Sequence, residues 1–166
     1  MIRYHSTACF DMALQISRNL FQYFSADAML ASPDTSVEPD CGNLITVAIG
    51  LDLPEPLFSG FPICATSASE LTIRDSNGKV KRYSTGDGLA AIFLRPMEDE
   101  RLEMVVWGVS EEDLALAARL MPMMTGVGQP DFIVLSKKAR WKGMDGVTAM
   151  GFFDHMWNVS QTSLFT

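Results

Sequence analysis

The sequence predicts one α/β domain, with a mixed sheet of about five to seven strands and helices packed on it. Three observations carry this expectation. The apolar run Leu102-Glu-Met-Val-Val-Trp107 leads through Gly108-Val-Ser110 into an Ala/Leu-rich helical stretch, and a second apolar run closes at Phe132-Ile-Val-Leu135. A strand–helix–strand order of this kind implies a crossover spanning 102–135 and a parallel strand pair. Asp75-Ser-Asn-Gly78 marks a hairpin, because Asn-Gly accepts the positive φ values of a tight turn. The turn-rich 96–101 segment folds the apolar run 89–95 back onto 102–107, giving a further antiparallel pair.

From the N-terminus, Ser6 is placed to cap a helix over 7–25. Met12, Ile16, Leu20 and Phe24 form an i, i+4 row, flanked by Phe10, Leu14 and Phe21. Residues 31–42 are rich in turn formers and read as a linker to a sheet core over 43–157. Within that core, 43–50 reads as a buried strand and 51–61, with Pro54 and Pro56, as an irregular connector. Short strands follow at 63–66, 71–74 and 79–83, and Gly86-Asp-Gly88 breaks the chain before 89–95. Ser110 and Asp113 form a Ser-x-x-Asp cap for a helix over 111–121, with Glu111 and Glu112 complementing its positive end. Pro122 and Gly126 end that helix. A last strand is expected within 147–153, ahead of a polar tail at 158–166.

With 166 residues, the chain is long enough for one core. A formal net charge of −7 argues against nucleic acid and anionic membrane surfaces as partners. Two basic clusters (Arg74, Lys79, Lys81, Arg82 and Lys137, Lys138, Arg140, Lys142) read as solvated faces. The 11 Met and 10 Phe are unusual and suit either an irregular core or an adaptable apolar pocket. Cys9, Cys41 and Cys64 have no CxxC spacing; buried thiols are the default, and a pairing of any two stays open. No run reaches the length of a membrane span, and the N-terminus lacks the apolar stretch of a signal peptide. A complete chain of this kind belongs in the cytoplasm; a fragment of a larger protein could be secreted. The Asn158-Val-Ser160 sequon matters only in the second case.

No cofactor fingerprint is present, and the two histidines lack companion metal ligands at plausible spacing. Gly108-Val-Ser110 sits where a nucleophile elbow would, yet position 112 is Glu rather than the required Gly, so capping accounts for Ser110. Gly126-Val-Gly128 follows a helix and precedes a strand, the reverse of a phosphate loop. His155 with Asp154 is the best acid–base candidate. Any binding site should lie at the carboxyl ends of 102–107 and 131–135, bounded by Ser110, Glu111, Ser136 and Lys137, with the aromatic mass of Trp141 nearby. Trp107, Trp157, Phe152 and Phe153 are expected near the sheet ends as packing residues.

Phe93-Leu-Arg-Pro96, Val106-Trp-Gly108, the Ala-Ala-Arg-Leu120 helix, Thr125-Gly-Val-Gly-Gln-Pro-Asp-Phe-Ile-Val134, Trp141-Lys-Gly and Gly151-Phe-Phe-Asp154 occur in this order. Over about 43–157 the chain thereby resembles the C-terminal region of secreted multidomain α/β-hydrolases of the prolyl-oligopeptidase-like group, notably fungal ones. In such proteins the serine–acid–histidine machinery belongs to a separate domain. The resemblance therefore implies an accessory module and supplies no catalytic residue. Two functions are expected from different classes. One is a non-catalytic accessory or interaction module that meets a hydrolase domain or a second copy of itself, with Met121-Pro-Met-Met124 as a contact patch. The other is a small cofactor-independent enzyme (an isomerase, cyclase or lyase) acting on an apolar metabolite in a Met- and Phe-lined pocket.

Overall fold

The computed structural model describes residues 1–35, 42–56, 58–98, 100–122 and 129–166. Its centre is an eight-stranded mixed sheet with helices on one face and a three-stranded antiparallel sheet on the other. In chain order the elements are β1 (Ile2–Tyr4), α1 (Phe10–Phe24), β2 (Leu30–Ala31), β3 (Leu44–Ile49), β4 (Ile63–Ser67), β5 (Glu70–Arg74) and β6 (Val80–Ser84). Then come β7 (Ala90–Pro96), β8 (Leu102–Gly108), α2 (Glu111–Ala118), β9 (Phe132–Leu135), α3 (Ala139–Lys142), β10 (Val147–Gly151) and β11 (Leu164–Phe165). The large sheet runs β11-β10-β9-β7-β8-β3-β1-β2, and β4-β5-β6 form the small one.

The α/β class and the mixed sheet stand as the sequence predicts, and so do the hairpin at 75–79 and the antiparallel β7–β8 pair. The crossover is subtler. β8 and β9 share one sheet and one direction, but antiparallel β7 lies between them and pairs with both. Direct parallel pairing occurs instead at β1–β2, β1–β3 and β3–β8. The sheet also reaches beyond 43–157 at both ends. β1 and β2 extend one edge, and β11, within the expected polar tail, extends the other. Of the expected linker, Ala31 belongs to β2, and 36–41 lie outside the described residues.

The central strands bury both faces. On β7, Ala90 and Ile92 face the helices, whereas Ala91 and Phe93 face the small sheet; Val106 and Trp107 divide in the same way on β8, and Ile133 and Phe132 on β9. Alternation is therefore invisible as hydropathy, and these strands read as continuous apolar runs. The helical layer contributes Ala13 and Ile16 from α1, and Leu114, Ala117 and Ala118 from α2. A Cβ on Gly108 would lie 2.2 Å from the Leu114 backbone nitrogen, so only glycine lets α2 start this close to the end of β8. The opposite core is aromatic: Phe61, Phe93, Phe132, Phe153 and Trp157 contact one another with ring centroids 5.4–6.4 Å apart. Trp107 is fully buried there and donates its indole N–H to the Gly50 carbonyl at 2.8 Å.

Two local expectations change. Ser6 does not cap a helical N–H; α1 is entered through a 3-10 turn at Thr7–Cys9, and the Ser6 hydroxyl lies 3.2 Å from the Cys9 thiol. The Met12-to-Phe24 row also runs off the sheet, so Ile16 is buried but Phe24 is 56% exposed. Cys9 belongs to the helix-side core and Cys64 to β4 of the small sheet, so the central sheet separates these two free thiols; Cys41 lies outside the described residues.

A buried ion pair absent from the sequence expectations sits where β7 and β8 meet. Arg95 and Glu103, directly opposed across the strands, are 4% and 6% exposed. The Arg95 guanidinium donates through Nε to Glu103 Oε2 and through Nη2 to Oε1 at 3.0 Å. The Thr46 hydroxyl donates to the same carboxylate, and Arg95 Nη1 donates to the Pro54 carbonyl at 2.8 Å, which ties the 51–61 connector to the sheet. Removing one member leaves the other charge buried without its partner. Arg95→Met should therefore cost about 3–5 kcal/mol in urea unfolding. The double change Arg95→Met, Glu103→Leu should recover much of that loss. Equal losses in the single and double variants would refute the account.

Candidate functional site

The carboxyl ends of β8 and β9 flank the start of β7 along one edge of the large sheet. Four sequence-predicted residues gather there. Ser110 opens α2 by accepting from the Asp113 backbone N–H at 3.2 Å, and its hydroxyl donates to Asp113 Oδ2 at 2.9 Å. Glu111 follows it, exposed, on the first turn. Ser136 is buried just beyond β9, and its hydroxyl donates to the Gly146 carbonyl at 3.0 Å. The Lys137 backbone N–H donates to the Asp87 carbonyl at 2.7 Å, and its ammonium lies 3.9 Å from Glu112.

The 86–89 loop is wedged between these pieces. A Cβ on Gly88, which has φ 75°, would fall 2.6 Å from Asp113 Oδ1 and 2.3 Å from Lys137 Cγ. Alongside runs an open groove of about 840 Å³, walled by Tyr83, Asp87, Ser136, Lys138 and Asp145 among others. Lys138 Nζ lies 3.1 Å from Asp87 Oδ2, and Asp145 adds a second carboxylate to the lining. Burial pushes the Tyr83 hydroxyl up to about 12, so it stays protonated at neutral pH. Trp141 stands on α3, which follows the Ser136–Lys138 turn. Its indole is 81% exposed, and the Arg140 guanidinium carbon is 5.1 Å from the ring centroid.

Asp154 and His155 do not join this cluster. The last long strand does pair beside β9, but antiparallel, so its end returns to the opposite edge. Roughly 15 Å of strand therefore separates the two groups. There Asp154 organises its own turn. Its carboxylate accepts the Met156 and Asn158 backbone N–H groups at 2.8 and 2.9 Å, while its backbone N–H donates to the Asn158 carbonyl. The Asn158 N–H is the main reason that this carboxyl is held below its ordinary value. His155 is exposed at the tip of the same turn.

The other histidine, His5, lies just past β1. Burial lowers its pKa, with the neighbouring Arg3 charge adding to the effect, and its Nε2 has no hydrogen-bond partner. Among the described residues, no group of three or more His, Cys, Asp or Glu is placed to hold a metal ion, and no helix is long and apolar enough to cross a membrane. Gly126 and Gly128 lie outside the described residues, as do Met123 and Met124 of the expected contact patch.

An apolar groove of about 390 Å³ lies on the helix side, at the edge opposite Ser110, and takes in Met121 and Pro122 of the expected contact patch, whereas its walls from α1 and the β7–β8 hairpin were not expected. Leu20 and Phe24 of α1, Leu94, Leu102 and Met104 of the β7–β8 hairpin, and Met121 line it. The i, i+4 row of α1, too long for the sheet it covers, was the signal for it. Met104, Met121 and Phe24 line this groove, whereas Phe61, Phe93 and Phe132 belong to the aromatic core and Met29, Met144 and Met156 are exposed.

No known family model matches the chain. It is 43% identical over 159 residues to an uncharacterized secreted protein of the fungus Arthroderma benhamiae; the match covers 92% of this chain and 17% of that protein. The chain thus spans less than a fifth of its relative's length.

Three measurements check the residue roles. Ser110→Ala should lose about 1 kcal/mol of unfolding free energy, as expected of a helix cap. His155→Ala should stay within about 0.5 kcal/mol of the parent, as an exposed turn residue should. Asp154→Ala should lower the melting temperature at neutral pH. A depressed folded-state pKa contributes stability above the unfolded value, so this deficit should shrink as pH falls below the ordinary carboxyl value of 3.8. A deficit that grows on acidification would contradict the turn-capping role.

Proposed function

We propose that the chain is a non-catalytic accessory or interaction module, related to the C-terminal regions of secreted α/β-hydrolases, and that it works in an exported protein. The observation that carries this reading is the apolar groove on the helix side. Phe24, which lines it, and Phe21 one turn earlier on α1 are 56% and 65% exposed. Apolar area of this kind is a contact surface for a partner rather than for water. The fungal relative supports the setting, because it is a secreted protein with most of its length outside the matched region.

The alternative, a cofactor-independent enzyme for an apolar metabolite, has no comparable support. Its acid–base pair would be His155 and Asp154, but the Asp154 carboxylate is already engaged by two backbone N–H groups of its own turn. Ser110 and Ser136 are likewise occupied by scaffold hydrogen bonds.

The test is a Phe21→Glu, Phe24→Glu variant. Both side chains are largely exposed, so circular dichroism and melting temperature should change little. The parent chain should bind the polypeptide encoded alongside it, or self-associate by light scattering, and the variant should do neither. A parent chain that stays monomeric and binds no flanking polypeptide would sink the reading.

A further inference from the structure

We propose that Asn158 is an N-glycosylation site, and that the first sugar lies along the polar groove between the 154–158 turn and the 75–78 hairpin. The inference rests on the exported setting argued above. Asn158-Val-Ser160 is the single Asn-x-Ser/Thr sequon in the sequence, and its middle residue is not proline.

The folded geometry accommodates a glycan. Asn158 is exposed, whereas Val159 beside it is 3% exposed and anchored in the aromatic core. The local backbone is fixed without help from the Asn158 side chain. Its N–H donates to Asp154 Oδ1, its carbonyl accepts from the Asp154 N–H, and Phe153 bridges to Val159. The side-chain amide makes only long contacts of 3.4 and 3.5 Å to the Asp154 carboxylate. Attachment replaces one of its two amide hydrogens, so the other can keep such a contact.

The amide borders a groove of about 520 Å³ whose wall includes Arg74, Asp75, Ser76 and Gln161. A lining of this polarity matches the hydroxyl and acetamido groups of a proximal sugar, and the volume is ample for one. The site also leaves the proposed docking surface open. Val159 and Phe153 pack on the small-sheet side, whereas the apolar groove faces the helices.

The chemistry is a group transfer. Asn158 Nδ2 attacks the anomeric carbon of a polyprenyl-diphosphate-linked oligosaccharide, and a C–N bond forms as the C–O bond to the diphosphate breaks. The diphosphate leaves with the bonding electrons, and one amide proton passes to a base of the transferase. The Ser160 hydroxyl is the recognition element for that enzyme.

The experiment has two arms. In the first, the chain is expressed behind a cleavable secretion leader in a eukaryotic host and recovered from the medium. Peptide-N-glycosidase should reduce its mass by one oligosaccharide and leave aspartate at position 158 in the recovered peptide. Asn158→Gln and Ser160→Ala should each lose the shift, and Ser160→Thr should keep it. Exported protein with an unmodified Asn158 would overturn the site while leaving the export reading intact. In the second arm, the natural protein is sought in the medium and in the cell extract of its producing organism. Glycosylated Asn158 in the medium supports both readings. Recovery from the cell extract alone, unmodified, overturns export and the site with it.

Discussion

The two-sided burial of β7 and its neighbours β8 and β9 governs the rest of the molecule. Ala90 to Phe93, Val105 to Gly108 and Phe132 to Leu135 are all buried. Each large apolar side chain among them is worth roughly 1.5–3 kcal/mol when removed from water. A sheet that is apolar on both faces must be covered on both faces. α1 and α2 cover one, and the small sheet with the Phe153–Val159 turn covers the other. On β7, β8 and β9 the polar side chains are thereby confined to the strand ends. Arg95 and Glu103 mark the transition on the small-sheet side, where the apolar register of β7 and β8 ends in a matched charge pair.

How much of this was legible depends on element length. β7, β8 and β9 are long enough for their apolar runs to stand out, and Ser110 with Asp113 announces the start of α2. β1, β2 and β11 have three, two and two residues, too few to carry any periodicity. Their pairing is decided by tertiary contacts that no local pattern records. Strand order was hidden for a related reason. The segment 102–135 shows that β8 and β9 run the same way, but not that the earlier hairpin partner of β8 lies between them.

The site follows the same logic. Ser110, Ser136 and Lys137 converge because they follow strands of equal direction, and direction can be read from a crossover. Asp154 and His155 follow a final apolar run, and such a run carries no direction. The antiparallel return of β10 then sends them to the far edge. Arg95 and Glu103 were within reach of sequence reasoning. Folding the chain at 96–101 puts two opposite charges in register on the face that also holds Phe93 and Val105.

The contrast between the sheet's two edges bears on what the molecule can bind. At the Ser110 edge, Glu111, Glu112 and Asp113 already complement the positive end of α2, and Lys138 is matched by Asp87. The exposed ion pairs there contribute little stability of their own. The opposite edge offers apolar area instead, from Leu20, Phe24, Leu94, Leu102, Met104 and Met121, whereas a stable protein interface buries ~800 Å² per partner. A partner docked there, as proposed, would also cover the exposed Phe21 and Phe24 of α1. A glycan on Asn158 would shield the small-sheet side of the same edge and leave the apolar groove on the helix side open. Contact and solubility would then be divided between the two faces of the sheet that every other element serves to cover.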